Sequence, residues 1–226
     1  MRWCALALAV LIGGTACQVR EEDRMRYVAL GDSYTIGTSV SEAERWPNQL
    51  AARVPELELV GNPAVNGYTS SDLIDRELPL LEDLRPELVT VLIGVNDVVL
   101  GVPETVYRAN VEVILDRLLG LVGAERVACV ATPDYTRTPR GADFGDPERQ
   151  REGIVRVNAA LREECEDRGM VFVPETFEIS LLASDDPGLV ASDGLHPSGE
   201  QYRRWVEAIE AVVRRLIAPG PVAPSD

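Results

Sequence analysis

Short apolar runs alternate with longer segments of helical spacing along most of the chain, and this alternation constrains the fold more than any other feature. The strand-like runs lie at residues 27–30, 57–60, 88–93, 126–131 and 170–173. Several are apolar without interruption, which is typical of parallel strands that are covered on both faces. The sequence therefore predicts an α/β domain whose parallel sheet of about five strands lies between two layers of helices.

The segments between these runs carry apolar residues at the spacing of an amphipathic helix. They lie at residues 46–53, 72–78, 103–119, 147–168 and 200–217. Pro103 suits the first turn of the third segment. Residues 132–147 and 176–191 are interpreted as loops, and loops of such length often shape a binding pocket.

Polar clusters follow the predicted strands at the points where a parallel sheet of this kind binds its ligands. They contain Ser33, the pair Asn66 and Gly67, residues 94–97, and residues 192–199 before the last predicted helix. Because the carboxyl ends of parallel strands share one edge of the sheet, we expect these four clusters to meet there.

The chain contains one histidine, His196, and Asp193 precedes it by three residues across a turn with a glycine. A carboxylate at that spacing can reach the imidazole and fix its tautomer, which orients a general base. A serine hydroxyl is a weak nucleophile without such a base, so Ser33 is the candidate nucleophile. The G-x-S-x-G pattern of α/β-hydrolases is absent.

Four blocks of sequence resemble those of the SGNH hydrolases, also called GDSL esterases and lipases. In chain order they read "GDSYTIG", "NPAVNGYTS", "IGVNDV" and "SDGLHPSG". Tyr34 stands where the name-giving G-D-S-L pattern has leucine. The resemblance implies a flavodoxin-like three-layer α/β/α sandwich and a reaction that uses neither a metal nor an organic cofactor.

The resemblance also implies a role for each matched residue. Ser33 would attack an ester carbonyl, His196 would carry the proton, and Asp193 would hold the imidazole. The oxyanion hole would consist of the backbone N–H groups of Ser33 and Gly67 and the side-chain amide of Asn96. A glycine suits the second position because the backbone must approach the substrate closely.

Two further acids and two tyrosines lie inside these blocks, and a third tyrosine lies in the predicted loop 132–147. We interpret Asp32 and Asp97 as structural acids that accept hydrogen bonds from loop amides. Tyr34, Tyr68 and Tyr135 are candidates for lining a pocket.

The N-terminal sequence predicts export. An apolar run follows Arg2, and small residues precede Cys17 in a pattern that resembles the bacterial lipobox, although Gly14 replaces the usual leucine. The predicted protein is a cell-envelope lipoprotein or a secreted one, with membrane attachment only through a lipidated Cys17. The predicted parts are a signal peptide at 1–17, a tether at 18–25, a hydrolase domain at 26–218 and a tail at 219–226.

Cys129 and Cys165 remain after removal of a signal peptide. An exported protein could bridge them as a disulfide. Cys129 lies in a strand-like run and Cys165 in a helical one, so two buried free thiols are an equal alternative.

The implied activity is hydrolysis of carboxylic esters through an acyl-enzyme. Candidate substrates are short-chain acyl esters, acetylated carbohydrates, thioesters and lysophospholipids, and acyl transfer to an alcohol would use the same residues. The net charge of -15 disfavours nucleic acids and anionic lipid surfaces as partners. The alternative is a non-catalytic envelope binding protein on the same scaffold, since a fold does not determine an activity.

Overall fold

The computed structural model describes Arg20 and residues 23–218. The predicted signal peptide, the lipidation site at Cys17, part of the tether and the tail at 219–226 lie outside these residues. No helix among the described residues has the length and apolar character needed to cross a membrane.

A parallel sheet forms the centre of the domain. Its strands are β1 (Met25–Gly31), β2 (Leu57–Gly61), β3 (Leu88–Leu92), β4 (Val127–Val130) and β5 (Val171–Val173). The strand order is β2-β1-β3-β4-β5, and every neighbouring pair is parallel. This is the flavodoxin-like order, so the predicted strands and fold class are confirmed. Strand β1 lies inside the sheet between β2 and β3.

Helices connect the strands and cover both faces of the sheet. They are α1 (Ser33–Ile36), α2 (Trp46–Arg53), α3 (Ser70–Asp72), α4 (Leu81–Leu84), α5 (Val95–Val99), α6 (Glu104–Val122), α7 (Pro147–Asp167), α8 (Glu175–Ser180) and α9 (Gly199–Ile217). The predictions for α2, α7 and α9 are confirmed to within one residue at each end.

Three predictions about the connecting segments were wrong in detail. The predicted helix 72–78 belongs to an irregular helical stretch, because Pro79 lacks the N–H donor that a regular α-helix needs. A π-helical turn at Leu73–Glu77 and a 3₁₀ turn at Leu78–Leu80 take its place. Pro103 occupies the N-cap, so α6 begins one residue later than the predicted 103–119, and it continues three residues further, to Val122.

The third correction concerns residues 176–191, which the sequence analysis treated as a loop. This stretch is largely helical, since α8 continues directly into a 3₁₀ turn at Leu181–Ser184 and a second turn follows at Pro187–Leu189. By contrast, residues 132–147 contain only two short 3₁₀ turns.

The two faces of the sheet bury separate apolar clusters. In β1, Tyr27 and Ala29 face the layer of α2 and α9, whereas Val28 and Leu30 face α6 and α7. This alternation follows from the two-residue period of a strand. Cys129 and Cys165 are buried free thiols in the second cluster, so the disulfide alternative is not what the structure contains.

The end of β1 depends on the absence of a side chain at Gly31. Its φ is +152°, and a Cβ at this position would lie 2.3 Å from the carbonyl oxygen of Leu92 and 2.4 Å from Oγ1 of Thr35. Only glycine therefore allows β1 to lie this close to β3 and then enter α1.

We expect Gly31→Ala to lower the free energy of unfolding by about 2–4 kcal/mol, because backbone atoms of β3 must move to accept the methyl group. Gly120→Ala is the matched control, since nothing lies within 4 Å of a Cβ at this position of α6. The control should be stabilised by about 0.5–1 kcal/mol. Chemical denaturation followed by circular dichroism measures both changes, and an equal stability of Gly31→Ala and the parent would contradict the argument.

Candidate active site

Ser33 is the first residue of α1 and lies directly beyond the end of β1. Asp32 caps this short helix, and its Oδ1 accepts a hydrogen bond of 3.0 Å from the backbone N–H of Tyr34. The Ser33 side chain is largely buried, with 7% of the residue exposed. The abrupt strand-to-helix turn thus holds the serine in one place at the carboxyl edge of the sheet.

Asp193 and His196 lie in the loop before α9 and contact each other directly. Nδ1 of His196 is 2.6 Å from Oδ2 of Asp193. Oδ1 of Asp193 accepts hydrogen bonds from the backbone N–H groups of Leu195 and His196, at 2.9 and 3.0 Å. The carboxylate therefore organises its own turn and at the same time fixes the orientation of the imidazole ring.

A further hydrogen bond to Asp193 comes from a residue that the sequence analysis did not select. Oγ of Ser39 donates to Oδ2 of Asp193 over 2.7 Å. Burial by itself would raise the pKa of Asp193, but the hydrogen bonds from His196, Ser39 and the backbone outweigh burial and hold this pKa well below its ordinary value. Asp193 is consequently a carboxylate throughout the neutral range.

Gly67 and Asn96 reach the same edge of the sheet from two other loops. Gly67 has φ of +85°, which favours glycine, and nothing lies within 4 Å of a Cβ built there. Asn96 belongs to α5, a helix that the sequence analysis missed because it follows β3 after only two residues. Nδ2 of Asn96 donates to the carbonyl oxygen of Tyr68 over 2.9 Å. An amide has two N–H donors, and this bond orients the group while it occupies one of them.

One cavity of about 180 Å³ brings most of the predicted site residues together. Its polar lining consists of Ser33, Asn66, Gly67, Asn96 and His196. Its apolar lining consists of Tyr34, Val95, Val99, Tyr135, Phe144 and Leu195. The cavity therefore places a serine, an imidazole and an amide beside a wall that suits an apolar group.

The two acids next to the blocks do bind loop amides. Asp32 caps α1, as described above, and Oδ2 of Asp97 accepts from the backbone N–H of Ser70 over 2.9 Å. Oδ1 of Asp97 also accepts from Oγ of Ser70 over 2.6 Å. The expected hydrogen bonds from loop amides to both acids are therefore present. Of the candidate tyrosines, Tyr34 and Tyr135 line the cavity, whereas Tyr68 offers its carbonyl to Asn96.

Glu77 is a buried acid that the sequence analysis overlooked. Its Oε2 accepts a hydrogen bond of 2.9 Å from the backbone N–H of Gly31, which holds the end of β1. Oε1 of Glu77 and Oδ2 of Asp32 are buried and have no hydrogen-bond partner among the described residues. The signal in the sequence is a glutamate that takes an apolar position, four residues after Leu73 and four before Leu81.

Burial raises the pKa of both acids at the end of β1. The pKa of Asp32 is raised to about 7 by burial and by the nearby charge of Asp97. The pKa of Glu77 is raised to about 8 by burial and by the charge of Asp32, against the opposing effect of the Gly31 N–H. A proton on Glu77 therefore stabilises the folded protein at neutral pH, whereas Asp32 is divided between its protonated and charged forms there.

A second and larger groove of about 450 Å³ lies where α7, β5 and α8 meet. Arg162, Glu163 and Glu166 are among the charged residues that line it. None of the predicted site residues lines this groove, so the smaller cavity at the carboxyl edge of the sheet is the candidate active site.

Comparison with known proteins identifies the chain's relatives. The family model described as "GDSL-like Lipase/Acylhydrolase family" matches residues 29–204. Comparison with curated protein sequences gives no match. Among solved structures, TesA is similar with a TM-score of 0.67 and 20% identity, over 84% of this chain and 99% of that one.

Two further solved structures share this fold. A lipolytic protein of the G-D-S-L family from Desulfitobacterium hafniense has a TM-score of 0.68 and 18% identity, over 84% of this chain and 99% of that one. A variant of Axe2, an acetyl-xylooligosaccharide esterase from Geobacillus, has a TM-score of 0.64 and 18% identity, over 86% of this chain and 95% of that one. At these identities the likeness establishes the three-layer architecture.

The buried acids at the end of β1 predict a particular dependence of stability on pH. A folded-state pKa near 8 for Glu77 lies above the ordinary glutamate value, so the folded protein binds more protons than the unfolded chain between about pH 4.5 and pH 8. The free energy of unfolding should therefore fall as pH rises through this range.

We expect Glu77→Gln to reduce this fall, because an amide keeps its donors and acceptor at every pH. Relative to the parent, the variant should gain at least about 1 kcal/mol between pH 5 and pH 8.5. Urea denaturation at the two pH values measures the gain, with Glu112→Gln on the exposed side of α6 as the control. If both variants lose stability with pH as the parent does, Glu77 is not the buried acid responsible.

Proposed function

Since the chain belongs to the GDSL-like lipase/acylhydrolase family, the SGNH hydrolases, and is therefore a serine hydrolase of carboxylic esters, we propose that Ser33, His196 and Asp193 form its catalytic triad. The observation that carries the proposal is the hydrogen bond of 2.6 Å between Nδ1 of His196 and Oδ2 of Asp193, on a ring that lines one cavity with Ser33. With Nδ1 bound to the carboxylate, Nε2 is the nitrogen that can accept the proton of the serine hydroxyl.

In the proposed reaction, Oγ of Ser33 attacks the ester carbonyl while Nε2 of His196 takes the hydroxyl proton. The tetrahedral intermediate collapses to an acyl-enzyme, and the imidazolium gives its proton to the departing alcohol. A water molecule then attacks the acyl carbonyl, again with His196 as the base, and the carboxylic acid leaves as the proton returns to Ser33. Asp193 stays ionised and stabilises the imidazolium in both halves of the reaction.

We assign the oxyanion hole to the N–H groups of Ser33 and Gly67 and to the side-chain amide of Asn96. The amide is oriented in advance because one of its N–H groups donates to the carbonyl oxygen of Tyr68. The second N–H is then available for the oxyanion. A donor that is fixed before the reaction can stabilise the transition state by about 3–4 kcal/mol, since it does not have to reorganise.

The size and lining of the cavity favour esters with an uncharged, apolar acyl chain of moderate length. A cavity of 150 Å³ with apolar walls holds benzene, a six-carbon ring, and the cavity here has about 180 Å³. We infer that an acyl chain of about six carbons fills it, by the same comparison. Among the substrate classes expected from the sequence, this favours short acyl esters over acetylated carbohydrates, whose two-carbon acyl group would leave most of the cavity empty.

We also propose that the protein is exported from the cytoplasm. The support for export is the N-terminal sequence alone, with an apolar run followed by small residues and Cys17. The substrates would then be esters of the cell envelope or its surroundings, and lipidation of Cys17 would hold the enzyme at a membrane.

The test of the triad is hydrolysis of p-nitrophenyl acetate, butyrate, hexanoate and octanoate by the parent and by Ser33→Ala. We expect the variant to lose at least about a thousandfold in kcat, because the nucleophile carries the covalent route. Ser184→Ala, which removes an exposed hydroxyl outside the cavity, is the control and should keep full activity. A folded parent without activity on the series would instead favour the non-catalytic binding protein on the same scaffold.

The test of the acyl pocket is Phe144→Ala. Phe144 packs edge-on against Tyr135, with ring centroids 5.5 Å apart, and both line the cavity. Removal of the ring should raise the ratio of kcat/KM for octanoate to that for butyrate about tenfold, as expected when two or more CH₂ groups gain contacts. Leu182→Ala removes an exposed apolar side chain outside the cavity and should leave the ratio unchanged. An unchanged ratio in Phe144→Ala would show that the acyl chain lies elsewhere.

A further inference from the structure

The turn after α1 contains a residue in an unfavourable backbone conformation. Gly37 ends α1 with φ of +73°, and two residues later Ser39 has φ of +67°. Among the described residues, Arg85 is the other non-glycine residue with positive φ. A left-handed conformation is disfavoured for a residue that has a Cβ, so a serine at this position carries a conformational cost that a glycine would not.

The Ser39 side chain contacts the acid that holds the histidine. Its Oγ donates to Oδ2 of Asp193 over 2.7 Å, and the same oxygen lies 2.6 Å from Nδ1 of His196. Oδ1 of Asp193 is occupied by two backbone N–H groups. Both carboxylate oxygens thus have two donors each, and Ser39 supplies the only one of the four that comes from outside the turn 193–196.

The neighbouring hydroxyl, that of Thr38, contacts a residue that lines the cavity. Oγ1 of Thr38 donates to Oδ1 of Asn66 over 2.5 Å, and Asn66 precedes Gly67. The turn after the nucleophile helix therefore connects the loop of Gly67 with the loop of Asp193. Its connection to each loop is a side-chain hydroxyl.

We propose that Ser39 is a positioning residue, whose hydroxyl fixes Oδ2 of Asp193 and so fixes the imidazole that this oxygen holds. The proposal rests on the assignment of Asp193 and His196 to the triad. Because the side chain of Ser39 starts from a left-handed backbone, its direction is set by the turn, and the hydroxyl restrains the carboxylate in relation to the segment that carries Ser33. In this way the relative position of Ser33 and Asp193 is fixed, although the two residues lie far apart in the sequence.

Ser39→Gly separates this role from a contribution to stability. Glycine adopts positive φ without strain, so the loss of backbone strain offsets the loss of the hydrogen bond. We therefore expect the Tm of the variant to stay within about 2 °C of that of the parent. We expect kcat to fall about 5- to 20-fold, as for a hydrogen bond to a charged but partly exposed group, with KM within about twofold. Arg85→Gly is the matched control because it relieves the same kind of conformation outside the cavity, and its kcat should not change.

A double-mutant cycle tests whether Ser39 acts through Asp193. In the Asp193→Ala background, Ser39→Gly should cause no further loss of kcat, because the carboxylate that it positions is gone. A full additional loss in that background, or an unchanged kcat in Ser39→Gly alone, would overturn the proposal.

The single histidine of the chain gives a second readout that needs no substrate. The proton on Nδ1 of His196, bound to Asp193, should give one low-field resonance in a proton NMR spectrum. This resonance should shift in Ser39→Gly and stay in place in Arg85→Gly. If the parent hydrolyses none of the esters, the proposed function fails, but the NMR resonance still tests the role of Ser39. An unchanged resonance in Ser39→Gly would overturn the positioning role.

Discussion

The close approach of β1 to β3 at Gly31 is the constraint on which the rest of the site depends. The carbonyl oxygen of Leu92 occupies the space that a Cβ of residue 31 would need. The end of β1 pairs with β3 up to Gly31, whose N–H also donates to Glu77, and Asp32 and Ser33 follow without any intervening loop. The position of Ser33, the proposed nucleophile, is therefore fixed by the sheet.

The acids near Ser33 have pKa values that are shifted in opposite directions. Asp193 has donors on both oxygens, and these hold its pKa low and keep it charged. Burial raises the pKa of Asp32 to about 7 and that of Glu77 to about 8, so Glu77 is largely protonated at neutral pH and Asp32 partly so. The full negative charge thus stays beside the imidazole, where the proposed reaction needs it, and is reduced at the end of β1, where it would oppose the developing oxyanion.

The sequence was sufficient for the strands because buried parallel strands are continuous apolar runs that need no knowledge of the partner. Residue chemistry also selected Ser33 and His196, and the resemblance to the SGNH hydrolases added Gly67 and Asn96; the fold brings all four to one cavity. Glu77 was missed since its carboxyl group is recognisable as functional only when the backbone N–H of Gly31 is seen beside it. Ser39 was missed for a related reason: neither its positive φ nor its contact with Asp193 leaves a local signature in a polar turn.

Two of the residues proposed to act in the reaction lie close to the ends of strands, whereas two of the residues proposed to bind the acyl chain lie in a long connecting segment. Ser33 and Asn96 lie in helices that start within a few residues of strand ends, so their positions are tied to the sheet. Tyr135 and Phe144 lie in the segment 132–147, which contains two short 3₁₀ turns. Side-chain hydrogen bonds tie it to the helices, such as those of Asp134 with Ser180 and of Tyr135 with Gln150. The aromatic part of the proposed acyl pocket can therefore change with this segment, whereas a change at Ser33 or Asn96 would disturb residues that are tied to the strand ends. On this division, relatives with the same fold can differ in the esters that they accept while they keep the same reaction.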